Sequence, residues 1–180
     1  MTYREYDFRE IITKAVCGKG RKKTTEINRV LPAHKPSSVL GCWIINHSYH
    51  ATKADGEYVE IQGSYDINLW YAYDDHRHTE VVLETVQYRD EIILAERDDE
   101  IVGEEYDCIA KVVKQPNCIQ CQIAESGEEI EVEVEREFIV KLIGETKVNV
   151  KVEPIHSVQL KTDSQYKEKK HPTILKRKDG

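Results

Sequence analysis

The sequence predicts an all-β protein, an antiparallel β-sandwich or barrel-like domain with a poorly ordered C-terminal tail. Three observations support this prediction. Apolar side chains alternate with polar ones along most of the chain up to residue 152, which is the period of a β-strand. Turn signals such as Asp-Gly, Pro-Asn and Ser-Gly separate the alternating runs. After residue 154 the alternation ends, so we expect a β domain over residues 1–154 and a basic, flexible tail over residues 155–180.

The first third of the chain contains two predicted strands and a hairpin turn. Residues 9–18 are rich in Ile, Val and Thr, so we expect a strand, although a short helix also fits the spacing of their apolar side chains. The basic segment GKGRKK, residues 18–23, predicts a solvated turn. The mostly apolar run over residues 39–46 predicts a strand that is buried on both faces. Asp55-Gly56 is a strong hairpin signal.

The stretch GSYDINLWYAYDDHRH, residues 63–78, shows the alternation most clearly. It belongs to a predicted strand over residues 57–73, in which Gly63 marks a bulge or a bend. A turn at residues 74–76 leads into a strand over residues 79–94. Shorter strands follow, giving roughly eight or nine in all, and they are expected at residues 106–114, 118–124, 129–136 and 138–152.

Charge is distributed unevenly along the 180 residues. The net charge is −7, yet residues 154–180 hold seven Lys and Arg against three acidic residues. An acidic body with a basic tail does not favour nucleic acid as a partner. No apolar run reaches the ~20 residues that span a bilayer, so we expect no integral membrane segment. The N-terminus lacks an export signal, so we expect a cytoplasmic origin with five reduced cysteines.

Four histidines raise the alternative of a metal- or ligand-binding β-barrel protein. His47 and His50 precede the hairpin turn, whereas His76 and His78 follow the long strand. Histidine binds zinc, copper or iron where enough ligands converge. The strand between the two pairs would hold them roughly 50 Å apart. We therefore expect solvated loop histidines, no metal site and no cofactor.

Cys118 and Cys121 have the C-x-x-C spacing. No second Cys or His pair follows at the spacing of a zinc site, and in a regular strand the two thiols would point to opposite faces. Structural cysteines, intermolecular cross-linking and metal binding are the alternatives. We expect no metal here, and Cys118 and Cys121 are kept as possible cross-link residues.

Glutamate alternates with apolar residues over residues 128–137, and five carboxylates share one face: Glu129, Glu131, Glu133, Glu135 and Glu137. We call them the carboxylate row. A uniform row does not separate pKa values as acid–base catalysis requires, so we expect a solvated face or a docking face for a basic partner. The sequence contains no phosphate-binding glycine loop, nucleophile elbow or zinc-protease motif. We therefore expect no catalytic residue and no enzyme.

Several long segments of the chain resemble the outer spore coat protein E (CotE) family of endospore-forming bacteria. They are REIITKAVCGKGRK (9–22), KPSSVLGCWIINHSYHA (35–51), VEIQGSYDINLWYAY (59–73), KQPNC (114–118) and EREFIVKLIGETKVNVKVEP (135–154). Together they extend over nearly the whole predicted domain. The tail departs from the family pattern, because family members end in a strongly acidic tail and this chain ends in KEKKHPTILKRKDG.

The resemblance implies a non-enzymatic, structural role. Family members are made in the mother-cell cytoplasm during sporulation, gather around the forespore and end in the spore outer coat. They form homo-oligomers and depend on the coat basement-layer morphogenetic ATPase, stage IV sporulation protein A. They also direct the assembly of outer coat proteins. We therefore expect a self-assembling spore coat morphogenetic protein that acts by protein–protein interaction.

Aromatic side chains are the candidates for self-association, because Trp and Tyr are enriched at interface hot spots. The candidates are Trp70, Trp43, Tyr65, Tyr71 and Tyr73. For Trp43 the alternative is a place in the core. For Trp70 the alternative is a second core layer of its own domain. Strand pairing at the sheet edges would add to such contacts.

Overall fold

The computed structural model describes residues 7–54, 57–97, 102–103 and 105–152. The expected Asp55-Gly56 turn and the expected flexible tail lie outside the described residues. Within them the chain forms seven strands: β1 (Asp7–Val30), β2 (Pro36–Ala54), β3 (Tyr58–Tyr73), β4 (His78–Ile93), β5 (Glu96–Arg97), β6 (Asp107–Ile123) and β7 (Ile130–Val152).

The strands form two antiparallel sheets, and the predicted all-β, sandwich-like fold is confirmed. One sheet has the order β2-β3-β4 and the other β5-β1-β7-β6. Both belong chiefly to one compact unit, Glu10–Val148; a second unit comprises Met1–Arg9 and Asn149–Gly180. In the second unit the described residues are the two strand ends, residues 7–9 and 149–152.

The core lies between the inner faces of the two middle strands, β3 and β7. Alternate residues of β3 are fully buried, as the period of two predicts: Val59, Ile61, Tyr65, Ile67, Leu69 and Tyr71. Alternate residues of β7 face them: Ile130, Val132, Val134, Phe138, Val140 and Leu142. The alternation in the sequence therefore identifies the core correctly.

Long strands replace several of the expected turns. β1 is a strand, as favoured over a helix, but it continues through residues 18–23, where a turn was expected. β6 continues through residues 116–117, because proline is tolerated in a terminal strand and register shifts absorb the irregularity. β7 likewise continues through residues 144–145. The described strands are therefore fewer and longer than expected.

The hairpin of β3 and β4 is confirmed closely. Residues 74–76 form its turn with positive φ angles, and the register of the two strands is unbroken. The expected bulge at Gly63 is therefore wrong on this side of β3. A Cβ at Gly63 would lie 2.4 Å from the Tyr88 hydroxyl oxygen. The glycine is required because the ring of Tyr88 crosses directly over it.

A buried ion pair joins the inner faces of the two sheets. The Arg136 Nε donates to Asp90 Oδ2 at 2.7 Å and Nη2 donates to Oδ1 at 3.1 Å. The remaining arm, Nη1, donates to Glu26 at 2.9 Å, and Thr24 donates a further hydrogen bond to Asp90 at 3.1 Å. The guanidinium carbon lies 4.0 Å from the centre of the Tyr88 ring. Every charge in this junction therefore has a partner, as burial demands.

Three glutamates of the carboxylate row form ion pairs within the chain, Glu131, Glu135 and Glu137, which differs from the expected solvated face. β7 lies between β1 and β6, and both neighbours present cations to it. Lys114 and Lys23 both bind Glu135, and Arg21 Nε lies 2.6 Å from Glu137 Oε1. These hydrogen bonds hold the pKa of both glutamates below the usual range. These ion pairs therefore help to hold β7 between β1 and β6.

Candidate functional site

The outer face of the β2-β3-β4 sheet carries a patch of exposed apolar side chains. It consists of Trp43 (53% exposed), Trp70 (40%), Val81 (58%), Leu83 (58%) and Ile45 (38%), and we call it the apolar patch. Trp70 pairs directly with Val81 across the β3–β4 ladder. Asn68 separates Trp43 from Leu83 in the next row. The patch therefore spans all three strands.

The two tryptophans occupy adjacent rows, and a glycine lies opposite one of them and under the ring of the other. Gly41 lies opposite Trp70 in the β2–β3 ladder. A Cβ at Gly41 would lie 2.5 Å from the Cη2 atom of Trp43. The indole of Trp43 therefore lies across Gly41 and reaches the row of Trp70. Such flat, rigid aromatic surface is well suited to binding another protein.

Beyond the apolar patch the same face becomes polar, and its polar groups satisfy one another. Asp66 accepts hydrogen bonds of 2.7 Å from both Asn46 and Thr85, which hold its pKa below the usual range. Farther along β3, Glu60 accepts a 2.5 Å hydrogen bond from Arg89 and one of 2.9 Å from Thr52. The part of this face that remains exposed without such partners is thus its apolar end.

The structure divides the five aromatic candidates into two groups. Trp43 and Trp70 are exposed, so neither alternative of a core position holds for them. Tyr65 and Tyr71 are fully buried in the sandwich, so they cannot contact another molecule, and that part of the prediction is wrong. Tyr73 is half-buried at the end of β3. Its ring stacks on His34 at 4.2 Å and on His78 at 5.4 Å.

Three members of the apolar patch were missed by the sequence analysis. β2 was expected to be buried on both faces, which hid Ile45, but it is the terminal strand of its sheet and its outer face is open. Val81 and Leu83 lie on the outer phase of β4, opposite the inner phase that includes Val82. An apolar residue in both phases of a strand is the signal that would have found them.

The four histidines do not form a metal site. His47 and His50 do face opposite sides of β2, but His47 is not solvated. Its Nε2 lies 2.6 Å from the Tyr88 hydroxyl and its Nδ1 lies 2.5 Å from Gln115 Oε1. Burial lowers its pKa. His76 and His78 are exposed at the β3–β4 turn.

Three cysteines form a cluster of possible ligand atoms that the sequence did not predict. The sulfur atoms of Cys42, Cys118 and Cys121 all lie within 4.8 Å of one another. They are the only group of three or more His, Cys, Asp or Glu residues so arranged in the part of the chain that the structure describes. We call them the cysteine cluster. The expectation that Cys118 and Cys121 point to opposite faces is wrong.

A β-bulge brings the two cysteines of β6 to the same face. Cys118 pairs with Val134, whereas Gln120 already pairs with the preceding residue of β7, so Ile119 is an extra residue. The shift changes the alternation, and Cys121 then lies opposite the buried Val132. The two thiols lie beside Cys42 of the same chain, which favours an intramolecular cluster over the predicted intermolecular cross-link.

The family comparison identifies the chain once this geometry is considered. The family model of outer spore coat protein E (CotE) matches residues 7–175. The chain belongs to the CotE family. The match covers both sheets and extends past residue 154, where the resemblance in the sequence was expected to end. Searches of curated proteins and of solved structures gave no match.

Membership of the CotE family confirms the resemblance that the sequence segments indicated. It identifies the chain with a family of outer spore coat proteins. No helix among the described residues is long and apolar enough to cross a membrane.

Proposed function

We propose that this CotE-family chain is a non-enzymatic scaffold of the spore coat that self-associates through the apolar patch. The observation that carries the proposal is the outer face of the β2-β3-β4 sheet, where Trp43 and Trp70 are exposed together among apolar side chains. A homo-oligomer built on this face would present its remaining surfaces to outer coat proteins. We further propose that it assembles in the mother-cell cytoplasm on the basement layer formed by stage IV sporulation protein A.

A second copy of the same chain is the occupant that the patch fits best. The patch contains no charged side chain, so it offers no electrostatic complementarity that would select a different protein. Two identical patches can instead pack face to face about a two-fold axis. The planar rings of Trp43 and Trp70 supply rigid contact surface on each side.

The decisive test is the size distribution of the purified full-length chain as its concentration rises, measured by light scattering and electron microscopy. The wild-type chain is expected to form oligomers. Trp70→Ser is expected to weaken association by about 30-fold or more, which is the loss typical of a hot-spot residue. Trp43→Ser is expected to act in the same direction.

Ile27→Ser is the matched control, because Ile27 is 60% exposed on the outer side of the other sheet. It should leave the size distribution unchanged. Thermal melting of all three variants establishes that they remain folded. A wild-type chain that stays monomeric at high concentration, or a Trp70→Ser variant that assembles as the wild type does, contradicts the proposal.

A further inference from the structure

The cysteine cluster lies at a seam between the two sheets. β2 is the terminal strand of one sheet and β6 is the terminal strand of the other. Two contacts run along the seam before the cluster is reached. The backbone N–H of Val112 donates to the Tyr49 hydroxyl at 3.2 Å, and His47 meets Gln115. The cysteine cluster is the third contact of this seam.

The three thiols face one another at the seam. Their sulfur atoms all lie within 4.8 Å of one another, and all three residues are half-buried. The Cys118 thiol also donates a 3.4 Å hydrogen bond to the backbone oxygen of Gln120. Burial raises the pKa of Cys118. The three sulfur atoms thus converge on one point.

We propose that Cys42, Cys118 and Cys121 form a three-thiolate site for a soft metal ion, zinc or monovalent copper, that fastens β2 to β6. Sulfur atoms bonded to one zinc at about 2.3 Å lie about 4 Å from one another, which the present spacing within 4.8 Å nearly meets. Thiolates select these soft metals over Mg²⁺ and Ca²⁺. Copper(I) accepts three sulfur ligands alone, whereas zinc completes its tetrahedron with a water molecule.

The positions of the three ligands show how a bound metal ion would connect the two sheets. Two ligands lie on either side of the bulge in β6, and the third comes from the opposite sheet. A metal ion bound there ties the two sheets together at an edge that has no backbone ladder between β2 and β6. An ion that binds only the folded protein stabilises it by mass action. The site is therefore structural.

The test is metal binding by the reduced, metal-free, full-length chain under anaerobic conditions. Zn²⁺ and Cu⁺ are titrated separately against chromophoric chelators, and Co²⁺ is added as a spectroscopic probe for thiolate-to-metal charge transfer. We expect one ion per chain from zinc, from copper or from both. A 100-fold excess of the bound ion over its Kd should raise the Tm by about 5–10 °C.

Variants distinguish the cysteine cluster from the other thiols. Cys42→Ser and Cys121→Ser are each expected to weaken binding by more than about 100-fold, since even the loss of a ligand's hydrogen-bond partner costs up to that much. Cys108→Ser is the matched control, because Cys108 is also half-buried on β6 but lies outside the cluster. It should bind the metal as the wild type does.

Three results would overturn the proposal. One is that neither Zn²⁺ nor Cu⁺ binds with a stoichiometry of one. Another is that Cys108→Ser and Cys42→Ser lose binding equally. The third is that Mg²⁺ gives the same rise in Tm as the soft ions, because a thiolate site discriminates against hard ions.

Discussion

The two middle strands, β3 and β7, resemble each other on their inner faces, which are apolar and buried. They differ in the residues on their outer faces. Both bury an alternating row of apolar residues in the sandwich. On its outer face β7 carries most of the carboxylate row, and cations from β1 and β6 pair with its Glu131, Glu135 and Glu137. The outer face of β3 ends in Trp70, beside Trp43 and Val81, and no residue of the described chain covers these side chains.

The difference shows how one chain separates folding from recognition. The polar groups of β7 make contacts within the domain. Arg136 does so on the inner side, and the paired glutamates of the carboxylate row do so on the outer side. The apolar side chains on the outer face at this end of β3 contribute less to their own domain, because they remain exposed to water. Changes on β7 should therefore alter folding, and changes on the apolar patch should alter association.

The largest effect is expected from Arg136→Met. The substitution leaves Asp90 buried without its bidentate partner, which costs about 3–5 kcal/mol of the free energy of unfolding. Urea denaturation of wild type and variant measures the loss. The oligomers of the folded fraction should keep their size, since Arg136 is buried and does not belong to the exposed apolar patch.

Arg29→Met is the control for this change. Arg29 lies 3.3 Å from Glu131 on the exposed side of the sheet, where ion pairs contribute at most about 1 kcal/mol. The double variant Arg136→Met/Asp90→Leu should recover part of the lost stability, because an apolar pair replaces the unpaired charge. A cost for Arg136→Met no larger than for Arg29→Met would show that the junction does not hold the sheets together.

A smaller loss of folding stability is expected at acid pH and in high salt. The pKa values of Glu135 and Glu137 are lowered by folding, through Lys114 and Lys23 for the first and Arg21 for the second. Their stabilisation is therefore complete above the ordinary glutamate pKa of about 4.3 and is lost as the pH falls through the lower folded value. Urea midpoints measured across this range should fall, and less so in Glu135→Gln/Glu137→Gln.

Asp66 on β3 provides the contrast within the same experiment. Its pKa is lowered as well, but by the neutral donors Asn46 and Thr85. High salt screens the ion pairs of the carboxylate row and has little effect on neutral hydrogen bonds. The acid sensitivity that Asp66→Asn removes should therefore persist in high salt. Equal salt dependence for both sets of variants would contradict this distinction between the two strands.

Much of the fold could be predicted because its main determinant is periodic. The alternation over β3 and β4 and the turn at residues 74–76 follow directly from local sequence. The extent of β6 and β7 does not, because a residue such as Gly144 predicts a turn locally but is held in a strand by neighbours distant in sequence. A Cβ at Gly144 would lie 3.0 Å from the sulfur of Cys17 in β1.

The candidate sites show the same limit. Trp43 and Trp70 could be selected by residue type, but their exposure depends on the outer face of the β2-β3-β4 sheet being left open, which no local pattern reveals. The cysteine cluster depends on a bulge at Ile119 and on Cys42, which is distant in the sequence. Both features arise from the pairing of whole strands, and local sequence does not encode that pairing.

The smallest effect is expected from Gly41→Ala, and it tests the apolar patch most finely. The new Cβ would displace the exposed ring of Trp43 but no backbone atom, so the free energy of unfolding should change by less than about 1 kcal/mol. Association should weaken by less than about tenfold, because both indoles remain in the patch but Trp43 no longer lies across Gly41. Light scattering and tryptophan fluorescence measure the two changes.

Gly63→Ala should show the reverse pattern. Its Cβ would meet the Tyr88 ring at 2.5 Å and the backbone oxygen of Ser48 at 2.7 Å. Neither can move freely inside the sandwich, so the substitution should cost about 1–3 kcal/mol of stability and leave the association of the folded chain unchanged. If Gly41→Ala leaves both the fluorescence and the association of the chain unaltered, the packing of Trp43 over Gly41 does not shape the interface.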